Sequence, residues 1–242
     1  VKTIAKYPNL AFYTEKLSSS PNGDVVSTIH QTWGNDFAKL EFHHGYIQWL
    51  FPLLEGPGMN SKASALTKEE ARLMRKERIV GKNFVRSYQM MLRFYGMKVV
   101  DTRSGRVERH PKIWRTRYQN LNSHSHNNLR ISRILASLGH LGFWRWKIEL
   151  INFLEREIYE HGKLPRCKGS FERFWLPLRD VEKKDEEEFE DHVYYIEKYA
   201  NANTGEELEE LIEVSDDEIM DESEESSPLD ITTDSEEELS RG

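Results

Sequence analysis

Apolar residues recur at three- and four-residue intervals through most of positions 1–179, and that period predicts helices. Val25, Ile29 and Trp33 stand four apart, predicting a helix from Asp24 towards Trp33. Phe84, Tyr88, Leu92 and Tyr95 mark one face of a longer helix, with Gly96 where a left-handed C-cap belongs. In "NNLRISRILASLG", opened by Asn127 or Asn128, the residues Ile131, Ile134, Leu135 and Leu138 form a continuous stripe that ends at Gly139. From Phe143 to Tyr159 the pattern is helical and apolar nearly all round, so that helix should be deeply packed, with Gly162 closing it. Shorter helices are expected where Asn9 caps a segment ending before Ser18, and where Thr67 and Glu70 form a capping box. Two more are expected where Pro111 opens the helix carrying Trp114, Tyr118 and Leu121, and where Ser170 caps a last turn through Phe174 and Trp175. "SPNG" (20–23) reads as a turn, and "MKVVDTRSGRVERH" as a small hairpin or an irregular loop. No repeat at solenoid spacing interrupts this reading, which is all-α.

One stretch departs from simple periodicity. "HHGYIQWLFPLLE" (43–55) places Tyr46, Ile47, Trp49, Leu50, Phe51, Leu53 and Leu54 around Gln48 and Pro52. It is too short to span a bilayer, which takes about 20 apolar residues, and Pro52 ends any helix within it. Such a density of large side chains predicts core, each worth about 1.5–3 kcal/mol on burial; a ligand pocket is the alternative. Gln48, if buried, has four hydrogen-bonding sites to satisfy. The chain opens at Val1 rather than Met, as a fragment or processed form would, and carries no visible signal sequence.

Charge divides the chain more sharply than hydropathy does. Residues 1–179 hold 30 Lys and Arg against 15 Asp and Glu, a balance of +15. Of the chain's 34 basic and 41 acidic residues, 4 and 26 remain for 180–242, a balance of −22. All six tryptophans and the single cysteine, Cys167, lie in the basic part. One cysteine excludes an internal disulfide framework and fits a reducing, intracellular compartment. The organisation expected is a helical domain over 1–179, an acidic helix or linker over 180–200, and a disordered acidic tail over 201–242.

The tail has a pattern of its own. "LIEVSDDE" (211–218) and "PLDITTDSEEE" (228–238) set Leu211, Ile212, Val214, Leu229 and Ile231 in extended alternation before serine and acids. Both resemble SUMO-interacting motifs, in which a short strand adds to a sheet edge and the acids meet a basic rim; the bland alternative is a solubilising tail. Ser215, Ser223 and Ser235, each followed by acids, suit an acid-directed kinase.

Candidate chemistry in the basic part is limited. His126, Arg130, Arg133 and Ser137 fall on one line of a helix. They read either as a cationic face for a carboxylate or phosphate, or as arginines paired internally with acids such as Glu41 or Glu55. The His43–His44 and His124-x-His126 pairs lack the spacing of zinc motifs, so no metal and no cofactor are expected. Phosphate-cradling glycine loops, nucleophile elbows and HExxH are absent, so no enzyme activity is expected. Clusters such as "RKER" (75–78) and "WRTRY" (114–118) keep nucleic acid open as a partner.

"LEFHHGYIQWLFPL" (40–53), "SYQMMLRFYGMKV" (87–99) and "RYQNLNSHSHNNLRISRILASLGHLG" (117–142) resemble, in this order, signature segments of the opioid growth factor receptor family. The similarity runs over roughly residues 7–176. It implies a helical domain and, for animal members, a receptor for the enkephalin pentapeptide Tyr-Gly-Gly-Phe-Met that acts in and around the nucleus to restrain proliferation. Where vertebrate members continue into repeated peptide units, this chain continues into an acidic tail. The resemblance implies residence in nucleus and cytoplasm, with any membrane association peripheral, as at the nuclear envelope. The pentapeptide needs an acid for its amine, a cation for its carboxylate and apolar pockets for its side chains. Tyr46, Gln48, Trp49, His126, Arg130 and Arg133 are the residues expected to line its site. The competing expectation is a nuclear adaptor whose basic domain binds anionic partners or nucleic acid and whose tail binds SUMO.

Overall fold

The computed structural model describes residues 6–179 except Pro57. Ten α-helices and one two-stranded sheet follow in chain order among these residues: α1 (Pro8–Tyr13), α2 (Val26–Trp33), α3 (Phe37–Phe42), α4 (Ile47–Leu50), α5 (Lys68–Lys76), α6 (Arg78–Phe94), β1 (Met97–Asp101), β2 (Arg106–Arg109), α7 (Trp114–Ser123), α8 (His126–His140), α9 (Trp144–Glu155) and the three-residue α10 (Lys168–Ser170). The helical class is thus as the periodicity predicts. The last turn of α9 widens into a π turn over Arg156–Glu160, and short helical turns carry the chain from Pro165 to Arg179. The acidic helix or linker, the tail and their motifs lie outside the described residues.

The long helix α6 is the axis of the core. Phe84, Tyr88, Met91 and Leu92 are buried along it, and α1, α2, α5 and β1 pack directly against it. From the other side, Phe143 and Trp146 of the α8–α9 corner bring their rings within 5.2 Å of Phe84 and 5.6 Å of Tyr88 respectively. Tyr46, Ile47, Trp49, Leu50 and Phe51 all lie inside, so the densest apolar run is part of the core. Phe51 meets Phe84 edge-on at 5.6 Å, and Trp49 tilts against Phe12 at 5.4 Å while its indole N–H donates to the Ser20 carbonyl at 2.9 Å. As predicted, α4 stops before Pro52.

"MKVVDTRSGRVERH" is a hairpin, antiparallel with Met97 opposite Arg109 and Val99 opposite Val107, and a bulge between Val99 and Asp101. Asp101 organises its turn: the carboxylate accepts from the Ser104 hydroxyl at 2.7 Å and the Arg103 amide at 2.9 Å. Those bonds, led by Ser104, hold its pKa below the usual carboxylate range against the opposing effect of burial. Gly105 adopts φ +79°, and a Cβ there would lie 2.3 Å from the Trp146 ring, so the turn can close on α9 only with glycine. Arg109 then clamps the hairpin to the π turn. Its Nε lies 3.0 Å from both oxygens of the buried Glu157 carboxylate, and its guanidinium stacks 4.6 Å from the Trp114 ring centroid.

Several helix ends differ from expectation. Asn9 does not cap α1 but lies in its first turn; its amide N–H and that of Leu10 donate to Glu70 Oε1 at 2.6 and 3.0 Å. Thr67 caps α5 as predicted, accepting from the Glu70 amide at 3.1 Å, while the Glu70 carboxylate serves α1. Asn127 and Asn128 lie inside α8, which starts at His126, because both amides are needed in the interior. Gly139 is helical, and α8 runs on to His140. The helix expected from Pro111 begins at Trp114. Ser170 lies within continuous helical turns rather than capping them.

Candidate ligand-binding site

The junction of α3, α4, α7 and α8 concentrates the buried polarity of the domain. Asp36 caps α3, its side chain accepting from the Lys39 amide at 2.8 Å. Only six residues later the helix ends, leaving carbonyls without intrahelical partners. Arg130 supplies them. Its two terminal nitrogens donate to the carbonyls of Leu40 at 2.8 Å, Glu41 at 3.0 Å and His43 at 3.0 Å, and to Asn127 Oδ1 at 3.2 Å. A cation at a helix C-terminus also complements the helix dipole. The Tyr46 ring lies under this guanidinium at 5.6 Å, and its hydroxyl donates to the same Leu40 carbonyl at 3.0 Å.

One turn along α8, Arg133 does the same for α4. It donates to the Phe51 carbonyl at 2.7 Å and reaches the Gly56 carbonyl at 3.4 Å. Burial pulls its pKa down to about 10, against the opposing charge of Glu55. Arg130 is thus interior and Arg133 half-buried, and their forks bond main-chain carbonyls, Arg130 adding the Asn127 oxygen. Geometry explains the choice: a planar fork with several fixed donors can gather carbonyls that diverge from a helix end, which a single ion pair cannot.

Glu41 points the other way, towards α7 and the start of α8. Its carboxylate accepts from Asn120 at 2.6 Å and from Asn127 at 3.2 Å, and His126 Nε2 lies 2.6 Å from Oε1. Burial alone would push its pKa up, but the two amides and the charges of His126 and His124 outweigh that and hold it low. Burial also holds His126 below the ordinary histidine range, with Glu41 opposing and Arg130 assisting. His44 and His124 ring the same corner, their centroids 5.9 and 5.8 Å from that of His126. Two large apolar residues on these helices face solvent. Phe42, next to Glu41, is 78% exposed, and Leu129, one turn beyond His126, is 61% exposed.

Of the six residues expected to contact a ligand, His126 alone stands at this rim, and Arg133 is half-buried. Tyr46, Gln48, Trp49 and Arg130 are interior. Gln48 packs with its side-chain oxygen unpartnered among the described residues. Sequence reasoning missed Asn120, Asn127, Phe42 and Leu129. The one signal available for them was the helical spacing of Leu129 from His126.

Other chemistry finds little support in the described residues. No group of three or more His, Cys, Asp or Glu is arranged to hold a metal ion there. Cys167 is buried against Asn128 Oδ1 at 3.4 Å, and burial pushes its thiol up to about 12, the opposite of an activated nucleophile. A void of about 10 Å³ lined by Tyr88, Leu92, Tyr95 and Ile131 is too small for anything beyond a water molecule. No helix among the described residues is long and apolar enough to cross a membrane.

Comparison with known proteins gives this corner a context. The family profile described as the opioid growth factor receptor conserved region matches residues 2–204. Mouse "Opioid growth factor receptor" is 42% identical over 168 residues, covering 69% of this chain and 26% of its own length. The human protein of that name is 42% identical over 163 residues, covering 67% and 24%. Mouse "Opioid growth factor receptor-like protein 1" is 40% identical over 173 residues, covering 71% and 37%. The chain thus spans about a quarter to a little over a third of the length of these curated relatives. No solved structure matches. With Glu41, His126, Arg130 and Arg133 inside the matched region, the chain belongs to the opioid growth factor receptor family.

Proposed function

We propose that this domain is a non-catalytic receptor for an opioid-type peptide and takes part in restraining cell growth in and around the nucleus. The reading is supported by the names of its relatives and, in the molecule, by the rim around Glu41 and His126. That rim offers a peptide part of what it requires. Phe42 and Leu129 supply apolar surface for the side chains of Tyr-Gly-Gly-Phe-Met, beside a Glu41 carboxylate that is buried and held by Asn120, Asn127 and His126. The imidazoles of His44 and His124, grouped about His126, offer ring N–H groups to the terminal carboxylate. Arg130 and Arg133 act behind this surface by fixing the ends of α3 and α4. Tyr46 supports α3 from below through the Leu40 carbonyl, while Gln48 and Trp49 belong to the core.

Titration of the pentapeptide into the protein, followed by calorimetry, tests the reading. A Phe42→Ala, Leu129→Ala double variant should weaken binding at least tenfold with little change in melting temperature, because both side chains are already in water. Equal affinity in a folded variant would remove the rim as the site. Peptide that fails to bind the unaltered protein would remove the receptor reading.

The excess of basic residues over 1–179 favours a second reading, an adaptor for anionic partners or nucleic acid, with the 211–238 motifs serving SUMO. Steeply salt-dependent binding of DNA or RNA, without peptide binding, selects it.

A further inference from the structure

The solvent side of α6 carries a charge pattern that the peptide reading leaves unused. Arg78, Lys82, Arg86, Gln89 and Arg93 follow each other at intervals of four, four, three and four residues, which aligns them in one stripe along the helix. All are exposed or half-exposed, and the stripe is about 22 Å long at 1.5 Å per residue. It contains no acid. Glu77 stands at its N-terminal end, and Asp36, near the other end, is already engaged as the cap of α3. Arg93 there reaches Asn35 and the Phe37 ring, which fixes its position at the end of the row. The opposite face of the same helix is the centre of the core, so the row stands on a rigid support.

The chain also supplies a complementary partner. "EELEELIEVSDDEIMDESEE" (206–225) is a long acidic run, 12 acids and no basic residue in 20 positions, in a region whose balance is −22. The described part ends at Arg179, which pairs with Glu155 of α9 at 2.7 Å. Trp146 of the same helix packs on Tyr88 of α6, nine residues and hence about 14 Å from Glu155. The 27 positions from 179 to 206 have a maximum reach of about 90 Å, ample to pass from that exit to the outer face of α6. A tether of this length gives an effective concentration on the order of a millimolar, far above that of a competing polyanion in dilute solution.

We propose that the acidic segment 206–225 docks in cis on the cationic stripe of α6, and so occupies the surface a polyanion would otherwise use. Docking there also sequesters Ile212 and Val214 from any outside partner. Phosphate on Ser215 or Ser223 strengthens the contact by adding negative charge opposite Lys82 and Arg86.

The test uses the full chain. Ser223→Cys carries a nitroxide label, which the buried Cys167 does not compete for. Paramagnetic broadening is then read at backbone amides. The expected result is selective broadening around Lys82, Arg86 and Gln89, unchanged on dilution and lost at about 0.5 M salt, where screening reaches within a few ångströms. A Lys82→Glu, Arg86→Glu double variant should lose it too. If charge reversal unfolds the protein, the broadening map and its salt dependence in the otherwise unaltered labelled chain decide alone. Broadening that is absent, or centred on another helix, overturns the proposal. So does broadening that fades on dilution, which means contact between copies. Short single-stranded DNA that releases the tail from α6 supports a shared surface. DNA that shifts the α6 amides while the tail never broadened them makes the stripe a nucleic-acid surface instead, and the proposal falls.

Discussion

Arg130 on α8 and Arg86 on α6 are the same residue type on two long helices, each within a row of basic residues spaced by helical turns. One row faces in and the other out. Arg130 is buried, and its fork closes the end of α3 by gathering three main-chain carbonyls and an asparagine oxygen. Arg86 is half-exposed, and its nearest named influence is electrostatic, on His30. What differs is the structure across from each helix. Short α3 and α4 end against α8, and their orphan carbonyls need donors. Among the described residues, Lys82 and Arg86 on the outer side of α6 close no such helix end. A cationic line in a sequence therefore reports a face of a helix, and the termini packed against that face decide whether it is scaffold or surface.

The contrast can be broken most forcefully where the inner region carries its largest apolar side chain. Trp49→Ala should destabilise the domain by about 3–5 kcal/mol, read from denaturant midpoints, because its ring is buried and its N–H is bonded to Ser20. A melting temperature close to that of the unaltered protein would return the 43–55 stretch to the status of a pocket. Arg130→Lys keeps the charge and removes the fork, and should cost about 2–3 kcal/mol by leaving carbonyls of α3 unpaired. If lysine restores full stability, the charge matters and the geometry does not.

Between the two regions lies His30, whose Nε2 meets the Ser87 hydroxyl at 2.8 Å on the inner edge of α6. Burial, assisted by Arg86, lowers its pKa to about 3 from 6.5. The unfolded chain takes up a proton below about 6.5, whereas the folded protein does so only near 3. Stability is thus fully present above 6.5 and falls as pH drops through this window, by on the order of a few kcal/mol. His30→Gln should flatten that part of the stability profile between pH 7 and 4, and an unchanged slope would assign it to other groups. The smallest effect belongs to the outer row. Lys82→Ala and Arg86→Ala should each alter stability by about 0.5 kcal/mol or less, as exposed charges do. A loss of several kcal/mol in thermal or denaturant melts would mean that the stripe is scaffold after all.

Much of the fold was legible because long helices with a buried face repeat their apolar residues at the helical period. Phe84, Tyr88 and Leu92, or Ile131, Ile134 and Leu138, mark their helices without help from the rest of the chain. Pro52 and Gly96 punctuate for reasons that are local to the backbone. What could not be read were decisions made across long sequence separations. Asn9 looks like a cap until Glu70 arrives from another helix, and Asn127 and Asn128 look like helix openers until Glu41 and Cys167 need their amides. The candidate site failed to emerge for the same reason. Spacing placed His126, Arg130 and Arg133 on one line, but which of them meets solvent depends on where α3 and α4 end.

The Glu70 contact also bears on how the chain assembles. A helix of six residues has no stability of its own, since nucleation costs more than so few hydrogen bonds return. The first turn of α1 obtains its acceptor from a carboxylate 61 positions later, so it cannot be completed before α5 is in place. On kinetic grounds α1 docks late, after the local helices have formed around α6. Replacing Glu70 by Gln should then show chiefly in the unfolding limb of a chevron plot, with the refolding limb nearly unmoved.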